Sequence, residues 1–320
     1  MVKRLRRVCI TGGAGFIGSH LVDECVKRGM QVSVIDNLSV GKKDFIAPHI
    51  QSGTIEFIRA DILDPYLLKV ALGGAEVVYH LAANPDARWG LEDPSIDLEL
   101  DVITTFQVLE GMRKLKIPRI VLASSGTVYG DVGTLEVDEK YGPCRPISLY
   151  GAGKLAAEGF VSAYTESFGI QGVICRFGNV IGARATHGAL YDFANKLRAD
   201  PSVLEVLGNG KQAKPYINVK DLVGALTFIA DKAKGPFETY NIAPTGATTV
   251  EFLAKTLLKE LGLKKTGIKT GDTAGGWRGD IPQSRMNSRK LADLGWSPRY
   301  TSDQAVEAGV KAFVRNLRSK

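Results

Sequence analysis

At 320 residues, with 44% hydrophobic and 23% charged side chains, the chain has the makeup of a folded globular protein. That excludes a disordered or fibrous chain and leaves room for more than one lobe. Four scattered cysteines without a CxxC spacing and four dispersed histidines exclude a disulfide framework, make a dedicated metal site unexpected and fit a reducing cytoplasm. The formal charge of +7 suits an anionic ligand without identifying one.

The opening "MVKRLRRVCI" has the basic start of a signal peptide, but "TGGAG" breaks the apolar run at once, so its charges read as a solvated lead-in to a strand. Short apolar runs then alternate with segments of helical period: "RVCIT", "FIGSHLVDECVKRG", "QVSVID", "IEFIRAD", "DPYLLKVAL" and "EVVYHLAA". This is the βαβ rhythm of a parallel sheet covered on both faces, a Rossmann-type doubly wound α/β fold.

Between the first strand and helix, "TGGAGFIG" places Gly12, Gly15 and Gly18. They permit a tight turn, close approach of backbone to a pyrophosphate and close packing of helix on sheet, while the helix start offers free N–H groups. The second strand ends in Asp36, 18 residues past Gly18, where a carboxylate accepts from both ribose hydroxyls and repels a 2′-phosphate. NAD is therefore favoured over NADP. Asp61, ending the third strand, is a candidate for the adenine amino group or a simple turn former.

A long helix is expected near "SIDLELDVITTFQVLEGMRKL", followed by the strand "RIVLAS", a helix through "SLYGAGKLAAE" and the strand "GVICRF". Ser124 and Ser125 follow a strand at the carboxyl edge of the sheet. Tyr150 and Lys154, four apart, share one helix face. A free phenol has a pKa of about 10, and an adjacent ammonium favours its ionised form. After about residue 178 the rhythm loosens into loops such as "GNVIGARATHG" and "GDTAGGWRGDIP", short strands "VLEVLG", "PYINV" and "ETYNIA", and three helical stretches. The expected division is a nucleotide-binding domain over 1–177 and a mainly substrate-binding lobe over 178–320, with the chain crossing back around 214–245.

The ordered set "TGGAGFIG", "DNLS", "HLAA", "SSGTVYG", "YGAGK", "RFGNVIG" and "YINVKD" resembles the extended short-chain dehydrogenase/reductases that act on nucleotide sugars, most of all the UDP-glucose (UDP-galactose) 4-epimerases. The likeness runs from about residue 7 to about residue 300. It implies NAD held at Gly12, Gly15, Phe16, Ile17, Gly18, Asp36, Asn37, Gly41, Asp61, Ile62, Leu81, Ala82, Ala83 and Phe177, with Lys154 on the nicotinamide ribose. It also implies Tyr150 as acid and base and Ser125 as the partner serine. The substrate contacts implied are Asn84, Ser125, Gly126, Thr127, Asn179, Lys214, Tyr216, Arg278, Asp280 and Ser284.

The reaction implied is transient oxidation at C4 of a UDP-hexose, rotation of the bound 4-keto sugar and hydride return to the other face. Dehydratases and decarboxylases on this scaffold carry acids where Gly126 and Thr127 stand here, which argues for plain epimerisation. Ser284 falls where bulky aromatics exclude an N-acetyl group, so N-acetylated hexoses are expected to fit. The alternatives are UDP-glucuronate 4-epimerisation, 4-keto-sugar reduction, or a sensor that binds NAD without chemistry.

Some positions depart from the pattern. Asp101 replaces a helix Asn, Gly153 replaces the Ser before Lys154, Pro215 replaces an Asp, and Arg278 stands one place late. A homodimer is implied, formed by the helix near 95–115 and the helix after Tyr150. Nucleic acid is not expected, because the positive residues are dispersed without interleaved aromatics. No membrane span is expected, since no apolar run reaches roughly 18 residues.

Overall fold

A computed structural model describes residues 7–318; the first six residues of the basic lead-in lie outside the described residues. One sheet holds seven parallel strands: β1 (Arg7–Thr11), β2 (Gln31–Asp36), β3 (Ile55–Arg59), β4 (Val77–His80), β5 (Arg119–Ser125), β6 (Gln171–Phe177) and β7 (Phe237–Ile242). Their spatial order is β7–β6–β5–β4–β1–β2–β3. The Rossmann-type fold expected from the alternation is present.

Both faces of the sheet are covered, which is why its central strands are buried at nearly every position. Four helices do most of this: α1 (Phe16–Lys27), α2 (Thr104–Leu115), α3 (Leu149–Phe168) and α4 (Val219–Lys232). Successive residues of β1 point to opposite faces. Val8 and Ile10 pack with Leu21 of α1 and Leu222 and Ile229 of α4, while Cys9 packs with Leu109 and Met112 of α2 and Val161 of α3. Each such fully buried aliphatic side chain contributes about 1.5–3 kcal/mol. From β1 the chain builds outward through β2 and β3, then returns to β4 and builds the other way. The crevice at the carboxyl ends of β1 and β4 is thus a topological switch point, where ligands of open α/β sheets bind.

The helix expected over 95–115 is not uniform. A turn at Ser95–Asp97 leads into a π-helical stretch, Leu98–Ile103, before α2 begins. The hydroxyls of Thr104 and Thr105 donate back to the carbonyls of Leu100 and Asp101, a bond that competes with regular helix. Helix α3 is delimited as its sequence suggests: Ser148 Oγ accepts from Gly151 N at 3.1 Å, and Gly169, with φ 71°, stops it.

Beyond β6, a third core joins Leu190 and Phe193 of the helix Gly188–Ala199, Leu253 and Leu257 of Val250–Leu261, and Val310 and Phe313 of Ser302–Arg318. With α4, four helices of twelve residues or more follow residue 178 among the described residues, where three were expected. The segment Asn179–Ile181, expected as loop, is a strand paired in parallel with Tyr216–Asn218. Gly178 permits this: a Cβ there would stand 2.5 Å from Pro215 O, so only glycine lets the two backbones meet. The strand Gly267–Thr270, which lacks an apolar alternation, pairs with Val203–Val206.

Candidate active site

A cleft of about 720 Å³ runs from the carboxyl ends of β1 and β4 to the C-terminal lobe. At one end β1 passes into α1 through a turn crowded at its glycines. A Cβ on Gly12, where φ is 68°, would stand 2.8 Å from Ala82 N, and one on Gly18 would stand 2.1 Å from Gly12 O. Gly15 caps α1 without a side-chain acceptor, leaving its first N–H groups for a ligand. Asp36, buried at the end of β2, accepts from Ala14 N at 2.9 Å and Leu38 N at 2.8 Å. Burial pushes its carboxyl up and those two N–H groups hold it back.

Asn37 Nδ2 donates to Asp61 Oδ2 at 2.9 Å, tying the ends of β2 and β3 together. Gly15, Phe16, Ile17, Gly41, Ile62, Leu81, Ala82, Ala83 and Phe177 line the same cleft. A backbone cradle empty of Cβ atoms, a free helix start and an acid at the next strand end fit a dinucleotide without a 2′-phosphate.

Further along, Ser125 closes β5, with Tyr150 and Lys154 on α3 beside it. Ser125 Oγ accepts from Thr127 N at 3.2 Å and Thr127 Oγ1 at 2.9 Å. Lys154 is buried, and its Nζ lies 5.5 Å from the centre of the Tyr150 ring. Burial holds the Tyr150 phenol above its ordinary value; Lys154 and the Ser125 hydroxyl pull it down and Asp101 pushes it up. Burial works against the Lys154 charge, but Asp101, Tyr150 and Asp97 outweigh it and leave the ammonium's pKa raised.

Asp101 and Asp97 are each 2% exposed. Asp101 Oδ1 is 3.1 Å from Lys154 Nζ, and Asp97 Oδ1 accepts from Asn84 Nδ2 at 2.8 Å. His80 behind them is no acid–base group: bonded to Thr11 Oγ1 at 2.7 Å and Thr105 Oγ1 at 3.1 Å, it is pushed down to about 3 by burial and Lys154.

The far wall holds Gly126, Thr127, Asn179, Lys214, Tyr216, Asp280 and Ser284. Tyr216 is pushed up to about 12, chiefly by burial. Arg278 is not among the residues lining the cleft, whereas its neighbours Trp277 and Gly279 are. Lys214 Nζ is paired with Asp280 Oδ1, and Asp280 Oδ2 accepts from Gly276 N at 2.8 Å. Three lining residues carry features that no motif announced. Met286 Sδ would stand 2.6 Å from a Cβ on Gly126; Arg88 grips Asp86 through both carboxylate oxygens; Trp89 opens the short helix Trp89–Glu92 that follows. Only the acid–base pair two apart in "DARW" hinted at the second. Every cation on the wall, Arg88, Lys154 and Lys214, thus has a carboxylate beside it.

Among the described residues no cluster of three His, Cys, Asp or Glu could hold a metal, and no helix is long and apolar enough to cross a membrane. The model of the NAD dependent epimerase/dehydratase family matches residues 8–243. A Methanocaldococcus jannaschii protein with the provisional name UDP-glucose 4-epimerase is 33% identical over 98% of this chain and 100% of its own length. UDP-glucuronic acid decarboxylase 4 of Arabidopsis thaliana is 32% identical over 97% of this chain and 69% of its own. A solved structure of a UDP-galactose 4-epimerase superposes with a TM-score of 0.85 at 36% identity, covering 98% of this chain and 99% of that one.

Proposed function

Because the chain belongs to the NAD-dependent epimerase/dehydratase family, we propose that it is an NAD-dependent 4-epimerase that interconverts UDP-glucose and UDP-galactose and also accepts their N-acetylated forms. The observation that carries this reading is the set Ser125, Tyr150 and Lys154 at the end of a dinucleotide-shaped cleft, with no acid at Gly126 or Thr127 and Met286 against Gly126. Without an acid there, a 4-keto sugar has no proton donor for elimination and no carboxylate to assist decarboxylation.

NAD, when bound, supplies the acceptor and donor of one hydride. The chain does the rest. Gly12, Gly15 and the start of α1 cradle the pyrophosphate, and Asp36 takes the adenosine ribose. Tyr150 removes the proton of the sugar C4 hydroxyl and later returns one to the C4 oxygen on the opposite face. Ser125 holds that oxygen, and Lys154 favours the phenolate. The sugar turns about its diphosphate link while Lys214, Tyr216 and Asn179 keep the nucleotide. No oxidant is consumed overall, so the cofactor need not leave.

The four free thiols fit a reducing cytoplasm. A homodimer is supported by Phe106 of α2 and Phe160 of α3, 36% and 38% exposed, whose rings meet edge to face at 6.2 Å and leave an apolar surface uncovered.

The test is incubation without added NADH of UDP-glucose, UDP-GlcNAc, UDP-glucuronate and the GDP and dTDP counterparts, with products read by NMR. C4 epimers of UDP-glucose and UDP-GlcNAc are expected. Elimination or decarboxylation products, or turnover confined to UDP-glucuronate, overturn the reading. An inert UDP-GlcNAc beside a reactive UDP-glucose overturns the part that rests on Ser284.

A further inference from the structure

Asp101 is out of place for a surface helix. It is 2% exposed and sits within the π-helical stretch Leu98–Ile103; burial pushes its carboxyl up, while Lys154 and the Asn84 backbone N–H hold it back. Its Oδ1 lies 3.1 Å from Lys154 Nζ. The backbone facing it carries no side chain: a Cβ on Gly153 would stand 3.0 Å from both Asp101 Cβ and Oδ2. A π-turn adds a residue to the helix and redirects those beside it, a device that recurs at functional sites.

We propose that Asp101 is a positioning residue that fixes the Lys154 ammonium against Tyr150 and, by its negative charge, cancels part of the positive field that the phenol feels. This rests on the reading of Tyr150 as the proton-handling group and adds what governs its charge. The groups facing this point are Lys154 and Tyr150 on α3, Asp97 one turn back along the same helical run, and His80 on β4. His80 is neutral, and Asp97 is engaged by Asn84. Lys154 is therefore the one cation here, and Asp101 is the anion within ion-pair distance of it. A unit charge within about 4–6 Å of a titrating group shifts its proton affinity by about 1–3 pH units.

The experiment is a phenolate titration by absorbance near 295 nm on the NAD-loaded protein. Wild type, Asp101→Asn and Asp101→Ser are compared, each with its Tyr150→Phe counterpart subtracted. Asn keeps the shape of Asp, so the fold should persist, and Ser removes the charge while relaxing the contact with Gly153. The Tyr150 phenolate should appear about 1–3 pH units lower in both variants, and the acid-side limb of kcat should move with it. Asp97→Asn should shift it less. A midpoint that stays put or rises in folded Asp101 variants, or a uniform fall in kcat with an unmoved limb, overturns the proposal. The two ideas fail separately. A moved titration without epimer formation sinks the epimerase reading alone, and epimer formation with an unmoved titration sinks the role of Asp101 alone.

Discussion

Gly153 and Asp101 fit one space together: an ideal Cβ on Gly153 would stand 3.0 Å from Asp101 Cβ, from its Oδ2 and from Asp97 O. Two departures from the family pattern, a helix Asp and a missing serine, are thereby one structural fact. Helix propensity favours Ala over Gly by about 1 kcal/mol, but crowding a packed site costs about 1–3 kcal/mol. Gly153→Ala is therefore expected to lower stability by about 1 kcal/mol, read by urea unfolding. In an Asp101→Ser background, where the Oδ2 contact is gone, the loss should shrink by roughly 0.5 kcal/mol or more. Equal losses in both backgrounds would show the two positions to be independent.

Tyr150 carries the chemistry of the proposed reaction, and its phenol has no other structural duty on which the fold depends. Replacing it with Phe keeps the ring beneath Lys154 and removes the proton. Turnover should fall about 10²–10⁴-fold, the usual yield of a positioned acid–base group, while NAD stays with the protein. NMR of products and absorbance of the cofactor released on denaturation read the two outcomes. Unchanged turnover would take Tyr150 out of the mechanism.

The sheet was legible because its strands are buried on both faces and so spell apolar runs, and because "TGGAGFIG" and Asp36 report a backbone geometry that few other residues allow. Ser125, Tyr150 and Lys154 could be named for the same reason: each sits at a fixed distance from a strand end or a helix cap. What stayed hidden depends on contacts across the chain. Met286 reaches Gly126 from 160 residues away. Asn179–Ile181 becomes a strand because Gly178 lets Pro215 approach, and Gly267–Thr270 has little burial to mark it. The π-turn at Asp101 lies inside a run whose apolar period reads as plain helix.

Gly126 marks where an acid would have to stand for the 4-keto sugar to be diverted, and Met286 Sδ would meet a Cβ there at 2.6 Å. Gly126→Ala should cost no more than about 1 kcal/mol, since the thioether it meets can swing aside, and that increment should vanish in a Met286→Ala background, which loses the methionine's own packing. Thermal unfolding of both single variants and the double variant tests this. If Gly126→Ala is neutral by itself, Met286 does not close the position.

Phe106 and Phe160 face solvent in one protomer although each is an aromatic ring on a well-formed helix. Burying such a pair against a second copy stabilises an interface, whereas a carboxylate in its centre would be stranded without a partner. Phe160→Glu is expected to turn the proposed dimer into a folded monomer, seen as a halved mass in light scattering with unchanged circular dichroism. A wild-type monomer at micromolar concentration would refute the dimer directly.

Lys214 poses a different problem, because its ammonium is already paired with Asp280 inside the proposed nucleotide subsite. Asp280 is 6% exposed at its side chain and also holds Gly276 N, so it keeps its place when the lysine is lost. Lys214→Met would then leave a buried carboxylate without its cation, facing an incoming diphosphate. Truncating one partner of a desolvated charge pair at a binding site costs about 2–5 kcal/mol of affinity, and each 1.4 kcal/mol is tenfold. The KM for the UDP-sugar should rise at least about tenfold with kcat little changed, since the proposed role of Lys214 is at the nucleotide and not at the reacting carbon. Adding Asp280→Asn should recover part of that loss, because the Asn oxygen can still accept from Gly276 while the repulsion is gone. If the double variant binds no better than Lys214→Met, the penalty lies in the missing cation alone and the pair does not act as a unit.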